Sequence, residues 1–188
     1  MIGSHNSLSY LPIQGWRKIL TPWTKCQSLT LEEQYEKGVR YFDLRIRKVK
    51  DEGWWYCHNN AIFVPVMEHK EIFEFLIAKK ANVRIILDVR KKPKDAEEYK
   101  NDFLDIVEWL KNNGMNIDSA IVYWDWQEWQ PNSVTQHEYH ASVSAPWYKY
   151  ILGTKWFAKH YNRKYLDENN DISKSNEDMI LLDYIQFK

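Results

Sequence analysis

The sequence predicts an α/β fold built on a largely parallel sheet, and two observations carry that expectation. Strand-like and helix-like segments alternate along the chain. Polar residues recur at or near the C-terminal ends of the strand-like segments: His5, Asp43 with Arg45, Asp88 with Arg90, Asp125 and Asp183. In a closed (β/α) barrel that edge is where strand ends converge on one mouth. A structural ion-pair network could leave the same pattern.

The elements follow in order. Only Met1 to Ser4 is available for a strand upstream of His5. Thr30-Leu-Glu-Glu33 is a capping-box pattern and Gly38 a stop, which predicts a short helix between them. Val39 to Arg47 reads as a strand with Val39, Tyr41, Asp43, Arg45 and Arg47 on one face and Phe42, Leu44 and Ile46 on the other. Gly53 to His58 is a short aromatic strand, and Glu68 to Lys80 is helical. Val83 to Val89 is apolar enough for a strand covered on both faces. Asp95 to Asn113 sets Tyr99, Phe103, Ile106, Val107 and Leu110 on one helical stripe before Gly114. Ala120 to Trp126 is a strand, Trp147 to Tyr161 a helix and Met179 to Phe187 the last strand.

A length of 188 residues is one domain's worth at about 150 per domain, so residues 1–188 are read as a single domain. Lys and Arg number 26 and Asp and Glu number 26. A neutral chain has no global field to gather nucleic acid, which argues against that partner. Ten Trp and twelve Tyr are an unusual load. Trp54-Trp55 and Trp124, Trp126 and Trp129 could enter a lipid interface as a peripheral contact, line a pocket or fill the core. Cys26 and Cys57 make no disulfide framework and no zinc spacing, and read as two reduced thiols. No apolar run approaches the roughly 18 residues of a membrane span; Ala61 to Val66 is among the longest and contains Pro65. The first residues carry no signal-peptide pattern. The chain is expected in the cytoplasm as written, or outside the cell if residues precede it. It is expected to act as a monomer.

The residue types suggest a chemistry before any resemblance is drawn. His5 and His58 lie on separate segments, and imidazole can serve as base and acid in one cycle. Arg45 supplies a planar cation suited to phosphate oxygens. That set suits cleavage of a phosphodiester by an internal hydroxyl. Two surface or core histidines are the competing reading. His69, His137, His140 and His160 have no motif around them and read as surface or packing residues; Lys91-Lys92 and Arg163-Lys164 read as solvated.

Four motifs in order narrow the choice. Gly3-Ser-His-Asn-Ser7 resembles the Gly-Thr-His-Asp-Ser opening of the phosphatidylinositol-specific phospholipase C X domain. Gln34-Tyr-Glu-Lys-Gly-Val-Arg-Tyr-Phe-Asp-Leu-Arg45 is similar to that family's Gln-Leu-x-x-Gly-Val-Arg-Tyr-Phe-Asp-Leu-Arg. Tyr56-Cys-His58 sits where the family has an aromatic strand ending in its second histidine. Met179-Ile-Leu-Leu-Asp-Tyr-Ile-Gln186 resembles the closing strand of the secreted bacterial enzymes.

The resemblance implies a distorted TIM-type (β/α) barrel short of eight strands, and cleavage at phosphorus by a neighbouring hydroxyl of an inositol phospholipid or another phosphodiester. It implies that His5 is the general base, Asp183 its orienting carboxylate and His58 the general acid, with Asp43 and Arg45 in the central strand. Asn6, Arg90 and Asp125 are implied as substrate-binding positions, with Asp88 beside the Arg90 match; Asp88 and Arg90 could instead cap or brace a strand end. No metal or other cofactor is expected: Arg45 falls where the calcium-dependent branch holds its ion, and Arg90 where that branch has a carboxylate. Asn6 departs from the bacterial aspartate, and an amide cannot relay a proton as a carboxylate can. The interval from Arg90 to Asp125 also lacks room for one strand–helix unit. A catalytically weak or inert phosphate-binding or structural module on the same barrel is the alternative. A glycerophosphodiester phosphodiesterase is a further one, but its metal-binding carboxylate cluster is not visible in the sequence.

Overall fold

Alternation of apolar and charged residues along one long strand organises the molecule. The computed structural model describes residues 1–89, 92–122, 127–128, 137–140, 153–168 and 178–187. Its elements are β1 (Ile2–Ser4), a 3-10 helix (Gly15–Leu20), α1 (Thr21–Thr24), α2 (Leu31–Glu36), β2 (Tyr41–Val49), β3 (Gly53–His58) and β4 (Ala61–Pro65). There follow α3 (Lys70–Ala78), β5 (Asn82–Leu87), α4 (Ala96–Asn112), β6 (Asn116–Val122), β7 (Gln127–Glu128), β8 (His137–His140), α5 (Thr154–Glu168) and β9 (Asp178–Leu182). A 3-10 turn, Ile185–Phe187, comes last.

The strands form one curled, mixed sheet in the order β7-β6-β5-β2-β1-β9-β8. Neighbours from β6 to β8 along this path run parallel, while β7 is antiparallel to β6. The β3–β4 hairpin leaves the path and pairs antiparallel with the second half of β2. Among the described residues the edge strands β7 and β8 do not pair with each other, so the sheet is a half-barrel with helices rather than a closed barrel. The predicted α/β class and parallel core are present.

The two faces of β2 do different work. Phe42, Leu44 and Ile46 share one core cluster with Val83, Ile85 and Leu87 of β5, Phe103, Val107 and Leu110 of α4, and Ile72, Phe73 and Leu76 of α3. Fully burying side chains of this size contributes about 1.5–3 kcal/mol each. Tyr41 belongs instead to a small separate cluster with Leu181 of β9. Tyr41 and Asp43, on that other face, are buried and Arg45 nearly so.

Several boundaries differ from the sequence reading. The short helix ends at Glu36, with the capping box of Thr30 and Glu33 present in both directions. The last strand stops at Leu182, well short of Phe187, because Tyr184 turns into the left-handed region at φ 44°. Ala61–Pro65, read only as an apolar run, is β4. Asn59, at φ 53°, occupies the turn that folds it back on β3. Strand β6 begins at Asn116, and α5 spans Thr154–Glu168; Tyr123 to Trp126 and Trp147 to Leu152 lie outside the described residues. Asp43 and Arg45 sit in the middle of β2 rather than at its end, because β2 runs on past the parallel sheet to pair with β3. Among the described residues no helix is long and apolar enough to cross a membrane. Both cysteines are free and buried.

Candidate active site

The site is assembled by the loop after β1. Asn6 adopts φ 41°, a conformation that Asn tolerates better than most residues. Its backbone N–H donates to Asp43 Oδ2 at 2.9 Å, and Ser7 Oγ accepts from the Asp43 backbone N–H at 2.9 Å. Gln34 of α2 holds the same loop by donating to the Ser7 carbonyl at 2.8 Å and accepting from Ser4 Oγ. The Ser-His-Asn-Ser motif is therefore a clamp between β1, α2 and β2.

A second strap, Thr24 to Gln27, closes the floor. Ser9 Oγ accepts from the backbone N–H groups of Cys26 and Gln27 at 2.9 and 2.8 Å. Gln27 Nε2 donates to the carbonyls of His5 and Leu182, at 3.1 and 2.7 Å, stitching β1 to β9. Gly153 backs this strap: at φ 80°, a Cβ there would lie 2.8 Å from the Pro22 carbonyl oxygen, so no other residue fits.

Five of the predicted residues converge here. His5 Nδ1 lies 2.6 Å from Asp183 Oδ1 and donates to it, which leaves Nε2 as an acceptor. Arg45 Nη2 occupies that acceptor at 2.7 Å. The guanidinium also donates through Nε and Nη2 to Asp43 Oδ2, both at 3.1 Å. His58 donates Nδ1–H to the Thr24 carbonyl at 2.7 Å, so its Nε2 is likewise the acceptor nitrogen. The two imidazoles stand 5.6 Å apart between ring centroids and almost perpendicular.

Charge and burial set the protonation states. Burial first, and then Arg45, hold the pKa of His5 well below its usual value. Burial and Arg45 lower His58 as well, against the pull of the Thr24 carbonyl. Burial alone would raise Asp43, but Arg45, Arg84 and His5 overcome it and hold the carboxyl far below its usual range. Arg45 is correspondingly raised by Asp43 and Asp88 despite its burial. The pair is a fixed anion and a fixed cation; the histidines are neutral.

Asp88, a predicted substrate position, joins the edge of this group. Its Oδ2 accepts from the Asn59 backbone at 2.7 Å and stands 3.9 Å from Arg45 Nη1, while Oδ1 has no partner among the described residues. Asn6, the other predicted position described, is fully buried, and neither amide atom has a partner among the described residues. Arg90 and Asp125 lie outside the described residues.

Sequence reading missed two residues. Arg84 of β5 is buried and donates Nε–H to Asp43 Oδ1 at 3.2 Å, from the side opposite Arg45. Its signal was an arginine inside the run Val-Arg-Ile-Ile-Leu, in register with Asp43. Cys26, read as a plain thiol, has Sγ 3.7 Å from His58 Nδ1. The tryptophans divide as well. Trp54 is half-buried against Tyr99 and Phe103, a core role, and Trp55 is half-buried. Trp16 and Trp23 are exposed instead, on the 3-10 helix and α1. Trp124, Trp126 and Trp129 lie outside the described residues.

The comparisons with known proteins bear on this fold. No family model matches the chain. A PI-PLC X-box domain-containing protein of Dictyostelium discoideum is 36% identical over 69 residues, 37% of this chain and 9% of that relative's length. The phosphatidylinositol-specific phospholipase C of Listeria monocytogenes superposes with a TM-score of 0.61 at 14% identity, covering 100% of this chain and 89% of that one. A double mutant of the Staphylococcus aureus phosphatidylinositol-specific phospholipase C gives 0.62 at 13% identity, covering 98% and 84%. The chain thus has the fold of the phosphatidylinositol-specific phospholipase C X domain in shortened form, as its motifs imply.

Proposed function

We propose that this chain is a phosphodiesterase that cleaves a phosphodiester through attack by an adjacent hydroxyl, with His5 as general base and His58 as general acid. The carrying observation is the tautomer pair. Both histidines commit Nδ1–H to a fixed acceptor, so each presents Nε2 as the acceptor nitrogen, and on His5 that nitrogen holds Arg45 until substrate draws it away. The substrate phosphate would draw the Arg45 guanidinium onto its oxygens and uncover His5 Nε2. That nitrogen then takes the proton of the attacking hydroxyl. The new P–O bond closes a cyclic phosphodiester while the bond to the leaving alcohol breaks, and His58 supplies that alcohol's proton. His58 is neutral at rest, and the arriving phosphate charge supplies the reason for it to take a proton. Asp183 orients His5 and supports its transient charge. On an inositol phospholipid the products would be an inositol cyclic phosphate and diacylglycerol.

Calcium does not fit this donor set. Both oxygens of Asp43 are taken by guanidinium groups, and an ion beside Asn6 would face Arg45. We therefore expect turnover in the presence of a chelator. The exposed Trp16, Ile19 and Trp23, just before the strap that holds His58, are the side chains available for a peripheral lipid contact.

Asn6 favours a second reading, a module that binds the phosphate without cleaving it, because the amide brings no carboxylate to the acid side. Phosphorus NMR of inositol phospholipid and glycerophosphodiesters, incubated with the protein with and without chelator, separates the two. A cyclic phosphodiester that forms despite chelator supports the enzyme, and Asn6→Asp should then raise the rate. Inert wild type and inert variant that still bind inositol phosphate would establish the binding module.

A further inference from the structure

We propose that His5, Cys26 and His58 form a capture site for a thiophilic divalent cation, with Zn²⁺ as the probe, and that capture closes the mouth. One donor atom from each of the three residues lies within 4.8 Å of the others, and all three residues are buried. This set is soft, two imidazoles and a sulfur, unlike the oxygen positions around Asn6 and Asp43. Zinc takes nitrogen at about 2.0–2.1 Å and sulfur at about 2.3 Å, which puts tetrahedral donors roughly 3.3–3.6 Å apart. The 3.7 Å between Cys26 Sγ and His58 Nδ1 is already near that spacing.

The surroundings can accept the charge. Asp43, Asp88 and Asp183 give three buried carboxylates around the mouth against two guanidinium groups, Arg45 and Arg84. Arg45 also has somewhere to go. Asp88 Oδ1 is buried without a partner among the described residues, and Asp88 Oδ2 is 3.9 Å from Arg45 Nη1. A swing of the guanidinium toward Asp88 gives it a full carboxylate and uncovers His5 Nε2. Asp183 on His5 Nδ1 is the partner that orients a metal-binding imidazole through its other nitrogen. His58 exchanges its Nδ1–H bond to the Thr24 carbonyl for the bond to the ion. Ligation through His58 Nδ1 moves its proton to Nε2, so the imidazole stays neutral. The Cys26 thiol loses its proton to solvent as the S–Zn bond forms, one proton released per ion. The fourth position is left to water.

Binding stands apart from turnover; only the inhibition rests on the phosphodiesterase reading. Full-length protein is titrated with Zn²⁺ in weakly buffered solution, and with Co²⁺ as a spectroscopic stand-in. One ion per chain, about one proton released and a thiolate-to-cobalt charge-transfer band are expected. Cys26→Ser and Cys26→Ala should abolish the band and weaken Zn²⁺ by about a hundredfold or more, beyond the 10–100-fold typical of losing a supporting partner. Cys57→Ser, the other buried thiol, should leave both unchanged. Circular dichroism confirms that each variant is folded. A band that survives loss of Cys26, one lost with Cys57, or no saturable binding by the wild type overturns the proposal. If the NMR assay shows turnover, Zn²⁺ should suppress it and chelator restore it. Inert protein that still binds Zn²⁺ through Cys26 keeps the site and counts only against the enzyme.

Discussion

The two faces of β2 and β5 are a controlled comparison within one sheet. Outward, Phe42, Leu44, Ile46, Val83, Ile85 and Leu87 join one apolar cluster with residues of α3 and α4. Inward, Asp43 is gripped by Arg45 and Arg84, and Arg45 reaches His5. The strands are the same and the burial is similar, yet one face is non-directional and the other is built of fixed charges. A buried ion network contributes little stability over an apolar equivalent, because desolvation offsets its attraction. The proposed chemistry would account for its presence on the inner face, while the outer face holds the fold.

The largest separation between the faces should appear in turnover. His5→Ala and His58→Ala are each expected to slow cleavage by about two to four orders of magnitude, the usual reach of general acid–base catalysis. Leu44→Ala should leave the rate of the remaining folded protein near wild type. Steady-state rates normalised to folded fraction decide it, and equal losses for Leu44→Ala and His5→Ala would erase the distinction.

Stability should report the two faces through different mechanisms. Asp43→Asn leaves two buried guanidinium groups without their anion and is expected to cost about 3–5 kcal/mol. Leu44→Ala opens a cavity and should cost about 2–5 kcal/mol. Denaturant titrations at two pH values tell them apart, because only Asp43→Asn should remove the acid sensitivity that this carboxyl brings. An Asp43→Asn variant as stable as wild type would mean that the network is not coupled to folding.

Acid should act on the inner face in two stages. His5 and His58 are held below their usual 6.5, so below that pH the unfolded chain binds more protons than the folded one. Stability is then expected to fall as the pH drops through about 6.5. Asp43 is depressed far below 3.8, so its contribution is present above that value and is lost as the pH falls further. Urea midpoints measured from about pH 8 down to pH 3 should show both steps. A flat response between about pH 7 and 5 would contradict neutral buried histidines. The smallest effect belongs to neither face: Thr30→Ala removes the capping box of α2 and should cost about 1 kcal/mol.

What the sequence made readable follows the same division. The outer face was legible from alternation alone, since Phe42, Leu44 and Ile46 fall at every second position. The convergence of His5, Asp43, Arg45, His58 and Asp183 was legible from short motifs, because each combines a strand-like run with chemically distinctive residues. Arg84 was not, because an apolar strand reads as covered on both faces and periodicity cannot reveal a charge facing inward. Strand β4 was hidden by Pro65 at its end, so that Ala61 to Val66 read only as an apolar run. Cys26 was hidden for a different reason. A thiol has no spacing signal, and its nearness to His58 exists only after the strap from Thr24 folds under β1.

The hydrogen bond from His5 to Asp183 joins positions 178 residues apart. Strand β1 likewise has β9 as one of its two partners, pairing Ile2 with Ile180 and Ser4 with Leu182. During synthesis, then, His5 precedes the carboxylate that orients it by 178 residues. Loop-closure entropy makes this contact among the slowest to form. A chain cut before β9 would keep His5, Asp43, Arg45 and His58 but lose both Asp183 and the strand that flanks β1, so the site's geometry depends on its most distant segment.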